Sequence, residues 1–246
     1  TTTPIHNPKG YMVFVRGDRT VTTFNAPANE TTLRTSGQIF WPVSNPPSTT
    51  IVASDKFESI GNPYASAIDF SNEAGVIKSA AVQRVFYLWD PKLGGSFGYG
   101  GFQTFTRGIG ADNNYYITPG GGSYGSIGSV NNFIQSGQAF LVRASGASGT
   151  VSFSESAKVN SSSTPFRPSA AASVNSKLYV RLEKMNSGDT LILDGITVEF
   201  GRELNNQLDP TDVYKFTNAG ESISILKANT ELTVERRNFP ENLETI

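Results

Sequence analysis

Two segments match the Gly-x-Ser-x-Gly pattern of a serine nucleophile, Gly94-Gly95-Ser96-Phe97-Gly98 and Gly121-Gly122-Ser123-Tyr124-Gly125. That pattern does chemistry only where the serine sits on a sharp strand-to-helix turn and a downstream histidine takes its proton. The chain has one histidine, His6, upstream of both matches, and no cysteine. Both matches therefore read as products of a glycine-rich composition, and thiol chemistry, Cys/His metal sites and Ser-His-Asp arrangements are excluded with them. Two facing carboxylates would suffice for glycoside hydrolysis. The nine acids of residues 1–172 stand singly, however, and Asp18, Asp55 and Asp112 occupy turn positions, so no enzyme is expected and no residue is assigned a catalytic role.

Three further sets are candidates for binding or modification. The run Asn205-Asn206-Gln207-Leu208-Asp209-Pro210-Thr211-Asp212 concentrates oxygen ligands of the kind a hard cation such as calcium takes. Asn205, Asp209 and Asp212 are the candidate ligands, and the competing reading is a solvated loop held by its own Asx turns, since the spacing fits no known calcium loop. No other cofactor is expected. Trp41, Phe97, Tyr99, Tyr115 and Tyr116 form the candidate platform for stacking on sugar rings. Aromatics fill cores as readily as they bind, and Trp89 at the end of residues 85–89 reads as core. Arg16-Gly17-Asp18 spells a tripeptide that integrins recognise, but the same residues are what a tight hairpin turn demands.

The elements that position these residues are strands. Residues 11–15 and 20–24 flank that turn as a hairpin. Residues 38–41, 50–53, 56–60, 82–89, 101–106, 139–144 and 150–153 are short β-branched or aromatic runs bounded by Gly, Pro, Asn or Ser. Residues 71–81 are the one helix-like stretch, good for a turn or two. Twelve glycines interleaved with aromatics between Gly94 and Gly128 predict long loops. Residues 178–183, 190–193, 196–200, 222–225 and 231–235 give five more strands, with turns at Ser187-Gly188-Asp189, Asp194-Gly195 and Ala219-Gly220.

Composition divides the chain. Residues 1–172 carry twenty of the twenty-four glycines, with twelve basic and nine acidic residues, whereas residues 173–246 carry eight basic and twelve acidic residues. The expected fold is all-β, with two antiparallel β-sandwich, jelly-roll-like domains and long Gly-rich loops. Residues 1–165 form the Gly/aromatic-rich domain; residues 166–246 form a smaller acidic one whose C-terminal edge is left open for strand-edge pairing with other domains or subunits. Neither part is basic enough for a nucleic-acid partner, and no run is long and apolar enough for a transmembrane helix.

Residues 10–19 (GYMVFVRGDR), 59–70 (SIGNPYASAIDF), 85–91 (VFYLWDP) and 134–142 (IQSGQAFLV) together resemble, in order, segments of the β-rich cargo proteins that Bacteroidetes export through the type IX secretion system. The resemblance implies an extracellular or cell-surface, outer-membrane-associated location and roles in adhesion. The sorting domain of that family is not among these residues, and no ligand transfers with the likeness. Asp189-Thr190-Leu191 is similar to the O-glycan acceptor of such exported proteins, which makes Thr190 a candidate glycosylation site. The expected function is a non-catalytic β-sandwich module acting in adhesion or as a structural or assembly scaffold. The alternative is a carbohydrate-binding accessory module that meets surface glycans through exposed aromatics.

Overall fold

A strand that is apolar at successive positions must bury both faces, whereas a half-solvated strand alternates. Residues 85–89 are such a run, and in the computed structural model they lie in a sheet covered on both sides. The structure describes residues 8–13, 18–22, 32, 36, 49–94, 99–159, 176–186 and 189–240. Among these residues ten strands precede residue 160: β1 (Thr50–Val52), β2 (Phe57–Gly61), β3 (Ile68–Asp69), β4 (Val76–Lys78), β5 (Val85–Asp90), β6 (Gly101–Arg107), β7 (Tyr115–Thr118), β8 (Phe133–Ile134), β9 (Ala139–Arg143) and β10 (Gly149–Phe153). They pair antiparallel as a central five-stranded sheet β2-β9-β5-β6-β7, a three-stranded sheet β1-β10-β4 and a ribbon β3-β8.

Alternate residues of the central sheet face two different partners. Phe86, Leu88, Phe105, Ile117, Phe140 and Val142 form the main core with Val52, Val76, Val151 and Phe153 of the three-stranded sheet and Ile68 and Ile134 of the ribbon. Phe86 and Phe105, cross-strand neighbours, stack at 4.5 Å. On the opposite face Val85 and Tyr87 meet Val213 and Val234 from the second half of the chain, with Phe57, Phe102, Leu141 and Phe216 around them.

That second half contributes β11 (Ser176–Asn186), β12 (Asp189–Phe200), β13 (Val213–Tyr214), β14 (Ile225–Lys227) and β15 (Thr230–Arg237) in one five-stranded sheet, β11-β12-β15-β13 with β14 also on β15. β12 and β15 run parallel, which demands the long connection between them. The two halves are tied polar group to polar group. Tyr87 Oη donates to Tyr214 O (2.7 Å), Phe102 N to Asn218 Oδ1 (2.7 Å), Gln83 Nε2 to Asp212 O (3.2 Å) and Gly94 N to Ile192 O (2.9 Å). The Thr118 and Thr197 hydroxyls meet at 2.8 Å.

The described residues are all-β, with no α-helix among them, and most strand pairs are antiparallel. Two local expectations change. Residues 71–81 hold β4 behind a turn instead of a helix: Asn72 Oδ1 accepts from Ala74 N and Gly75 N, which closes the turn, and the β-branched Val76 and Ile77 then extend against β10. Asp194-Gly195 is not a turn but lies inside β12. The glycine is required because a Cβ there would stand 2.7 Å from Pro119 Cβ, and register shifts opposite Leu182/Glu183 at a bulge. The short strands β3, β7, β8 and β13 carry too few residues to show a period. The strand expected at 38–41, the boundary near residue 165, the turn at 187–188 and the C-terminal edge beyond residue 240 lie outside the described residues, as do residues 14–17 and 23–24 of the expected hairpin.

Candidate functional site

The second sheet does not cover the whole outer face of the central one. Beyond Phe216 the described residues leave a groove of about 480 Å³ between Phe216 and the segment Gly10–Val13. Its floor is Tyr87, Trp89, Phe102 and Leu141, alternate residues of β5, β6 and β9 that β-pleat geometry aims to one side. Trp89 and Phe102 are cross-strand partners packed edge to face at 5.0 Å, and Phe102 meets Phe216 at 4.6 Å. Gly10 N donates to Ser59 O at 3.1 Å and Lys9 bridges Ile60, so the N-terminal segment is fixed beside β2. From there Tyr11 and Met12 project, 43% and 71% exposed. Ser59 and Gln138 are polar side chains of the wall, and none of the described residues that line the groove is charged. Gln138 is held in place by Gln135 N and Tyr124 Oη. The volume lies within the range of small-ligand sites, which combine apolar walls with a few oriented polar groups.

The predicted aromatic platform is redistributed. Tyr115 and Tyr116 are buried in β7 and cannot stack on a ligand: Tyr115 belongs to the main core, and Tyr116 lies under the Lys177 ammonium at 3.8 Å and donates to Asp112 Oδ2 at 2.6 Å. Burial, the Asp112 hydrogen bond and the nearby carboxylates hold the Tyr116 hydroxyl far above its ordinary pKa. Tyr99 is exposed but outside the groove, and Trp41 and Phe97 lie outside the described residues. The groove instead uses Trp89, read from its neighbours as core, together with Phe102 and Phe216. The signal available in the sequence was the pairing of two aromatics at a strand end beside Gly100-Gly101, where a bare backbone leaves a face open.

The candidate cation loop is held by its own side chains. Asn205 turns its amide nitrogen to Asp209 Oδ2 (2.6 Å), and Asp209 Oδ1 accepts from Thr211 N and Oγ1. Burial raises the Asp209 carboxyl, but hydrogen bonds from Thr211 and Asn205 outweigh it and hold it below its ordinary value. Asp212 is buried and accepts from Lys227 Nζ (3.0 Å), Arg236 N (2.8 Å) and Asp209 N (3.2 Å). Among the described residues no three His, Asp or Glu side chains converge as metal ligands. Thr190 is exposed at the start of β12.

The described Gly121–Gly125 match is a loop, not a nucleophile elbow. Buried Asp90 organises it: Oδ2 accepts from Ser123 N (2.7 Å) and Gln103 Nε2 (3.2 Å). Gly122, at φ +58°, passes so close that a Cβ would lie 2.2 Å from Asp90 Oδ2. A second concavity of about 480 Å³ at the seam between the halves is bordered by Arg84, Arg107 and Arg236. Its cations are committed, Arg84 to Glu73 and the Ser79 and Val82 carbonyls, Arg236 to Glu199, Thr211 O and Arg107 O, and Arg107 to Asn113.

A family described as a domain of unknown function, DUF8693, matches residues 1–245, across both halves and the composition change between them. The chain belongs to the DUF8693 family. No curated protein and no solved structure matches it. In this DUF8693 chain the groove and the seam both depend on the apposition of the two halves, and the family match extends over all the residues that build them.

Proposed function

We propose that the chain is a non-catalytic β-module of an exported bacterial surface protein, acting in adhesion, and that its aromatic groove takes a neutral saccharide. The observation that carries this reading is the groove itself: a cleft whose described lining is uncharged, with an aromatic floor and a hydroxyl and a carboxamide in its wall. Pyranose rings present C–H faces to aromatics and hydroxyls to such polar groups, whereas a charged peptide would find no counter-charge among the described residues of the lining. The segment resemblance supports the surface location, and the exposed Thr190 supports the glycan-acceptor reading. The commitment of Asp90, Asp194 and Glu199 to amides and cations supports a role without turnover of a bound substrate.

The test is a panel of neutral and acidic polysaccharides with tryptophan emission and pull-down as readouts. Neutral glycans are expected to shift the emission, and Trp89→Ala is expected to abolish binding while far-UV circular dichroism is unchanged. Silence across the neutral panel, or full binding by the folded Trp89→Ala protein, overturns the saccharide reading.

A further inference from the structure

Lys227 lies between two buried carboxylates. Its Nζ is 3.0 Å from Asp212 Oδ2 and 3.3 Å from Glu235 Oε1, and the three side chains are 10%, 0% and 6% exposed. A lysine, an aspartate and a second carboxylate held together out of water are the components needed to condense an amine with an acid. We propose that Lys227 and Asp212 are joined by an intramolecular amide bond between Nζ and Cγ, with Glu235 carrying the protons. The inference goes beyond the groove and stands whether or not the groove binds sugar.

The geometry assigns each atom a part. Glu235 takes a proton from the Lys227 ammonium, and the freed amine attacks Asp212 Cγ. Asp212 Oδ1 accepts from Arg236 N at 2.8 Å, a fixed donor for the negative charge that gathers on that oxygen at the tetrahedral stage. The Cγ–Oδ2 bond then breaks. The nitrogen loses two protons in all, Glu235 relays them to Oδ2, and one water leaves; Glu235 ends as it began. Ammonium plus carboxylate becomes amide plus water, with no redox change and no co-reactant. Fixed proximity supplies what the same condensation lacks in solution.

Other buried lysine pairs lack one of these parts. Lys215 is closer to its partner, 2.6 Å from Asp194 Oδ1, but makes no second ion pair among the described residues. Lys177 likewise pairs with one carboxylate, Glu199. The proposed bond ties β14 to the segment ahead of β13, two strands that both pair with β15, in a chain with no cysteine for a disulfide.

The test is the intact mass of the full chain under denaturing conditions. The expected value is about 18 Da, one water, below the mass of the sequence. A tryptic map should yield a branched species joining residues 203–215 to 216–236 with Lys227 uncleaved. Lys227→Arg and Glu235→Gln should both return the full mass, the second retaining both bonding partners so that a folding defect is separable by circular dichroism. A wild-type mass equal to that of the sequence overturns the proposal. So does a water loss that maps to Asp194-Gly195, the signature of a succinimide. A loss that persists in Glu235→Gln overturns the role given to Glu235.

Discussion

Lys78 makes the stability of this fold rise with pH. Its side chain is fully buried on β4, with Nζ donating to Phe70 O and Val76 O at 2.9 Å each, 3.5 Å from Glu73 Oε1 and 4.3 Å above the Phe70 ring. Burial pulls its pKa down to about 8, against partial opposition from Glu73. At neutral pH the ammonium is charged in both folded and unfolded chains, and holding it in the core costs the folded state about 3 kcal/mol relative to an amine of ordinary pKa. That cost is fully present below about pH 8. Above it the folded chain releases a proton that the unfolded chain keeps up to its own pKa, so stability increases with pH, by about 2 kcal/mol between about pH 7 and pH 9.5. Above about pH 10 the sign reverses, because burial raises the Tyr87 and Tyr115 hydroxyls and unfolding lets them ionise. Lys177 and Lys215 are lowered by burial too, so the informative quantity is a difference between proteins. Urea unfolding of wild type and Lys78→Met across this range should show the wild type gaining about 2 kcal/mol more than the variant. The carbonyls orphaned by methionine shift the variant's curve without changing its slope. Parallel curves would refute the argument.

Two substitutions test packing and charge elsewhere. Gly75→Ala would place a Cβ 2.4 Å from Ala157 Cα and 2.5 Å from Ala157 N, where backbone cannot yield; a loss of about 1–3 kcal/mol in urea unfolding is expected, and a negligible one would show that the contact is not close. Asp194→Asn leaves the buried Lys215 ammonium without its carboxylate and should cost about 3–5 kcal/mol, with part recovered by adding Lys215→Met; equal stability of the single and double variants would contradict the pairing.

Strand positions were readable where β-branched and aromatic runs are bounded by turn residues, as at residues 50–53, 101–106 and 139–144. Pairing partners were not, because register is set by which faces meet, and that is a property of distant segments. Asp194-Gly195 shows the limit: the dipeptide has the chemistry of a turn, yet the glycine answers to Pro119, seventy-six positions upstream. The candidate site failed in a similar way. Tyr115 and Tyr116 have the composition of a binding surface, and only the three-layer stacking buries them. Trp89 looked like core because its strand is core, but the second sheet ends short of it. The oxygen-rich loop at residues 205–212 contains Asx turns at Asn205 and Asp209, while the approach of Lys227 to Asp212 came from β14, a strand expected two or three residues earlier.

The shared core between the halves has a consequence for unfolding. The inner face of the second sheet has Val213 and Val234 against Val85 and Tyr87 of the first half, and the Arg143 guanidinium lies 3.4 Å from the Tyr214 ring centroid. Removing either half would expose that apolar surface and leave Tyr87 Oη, Gln83 Nε2 and the Thr118 hydroxyl without their partners across the seam. Each orphaned buried polar group costs about 1–3 kcal/mol, so a state with one half folded and the other open is disfavoured on several counts at once. The two halves should therefore melt together. Both tryptophans precede residue 160, so their emission reports the first half, while hydrogen exchange at β15 amides reports the second. Coincident midpoints in urea are expected; a β15 transition well below the tryptophan transition would show that the halves are stabilised separately and that the seam contributes little.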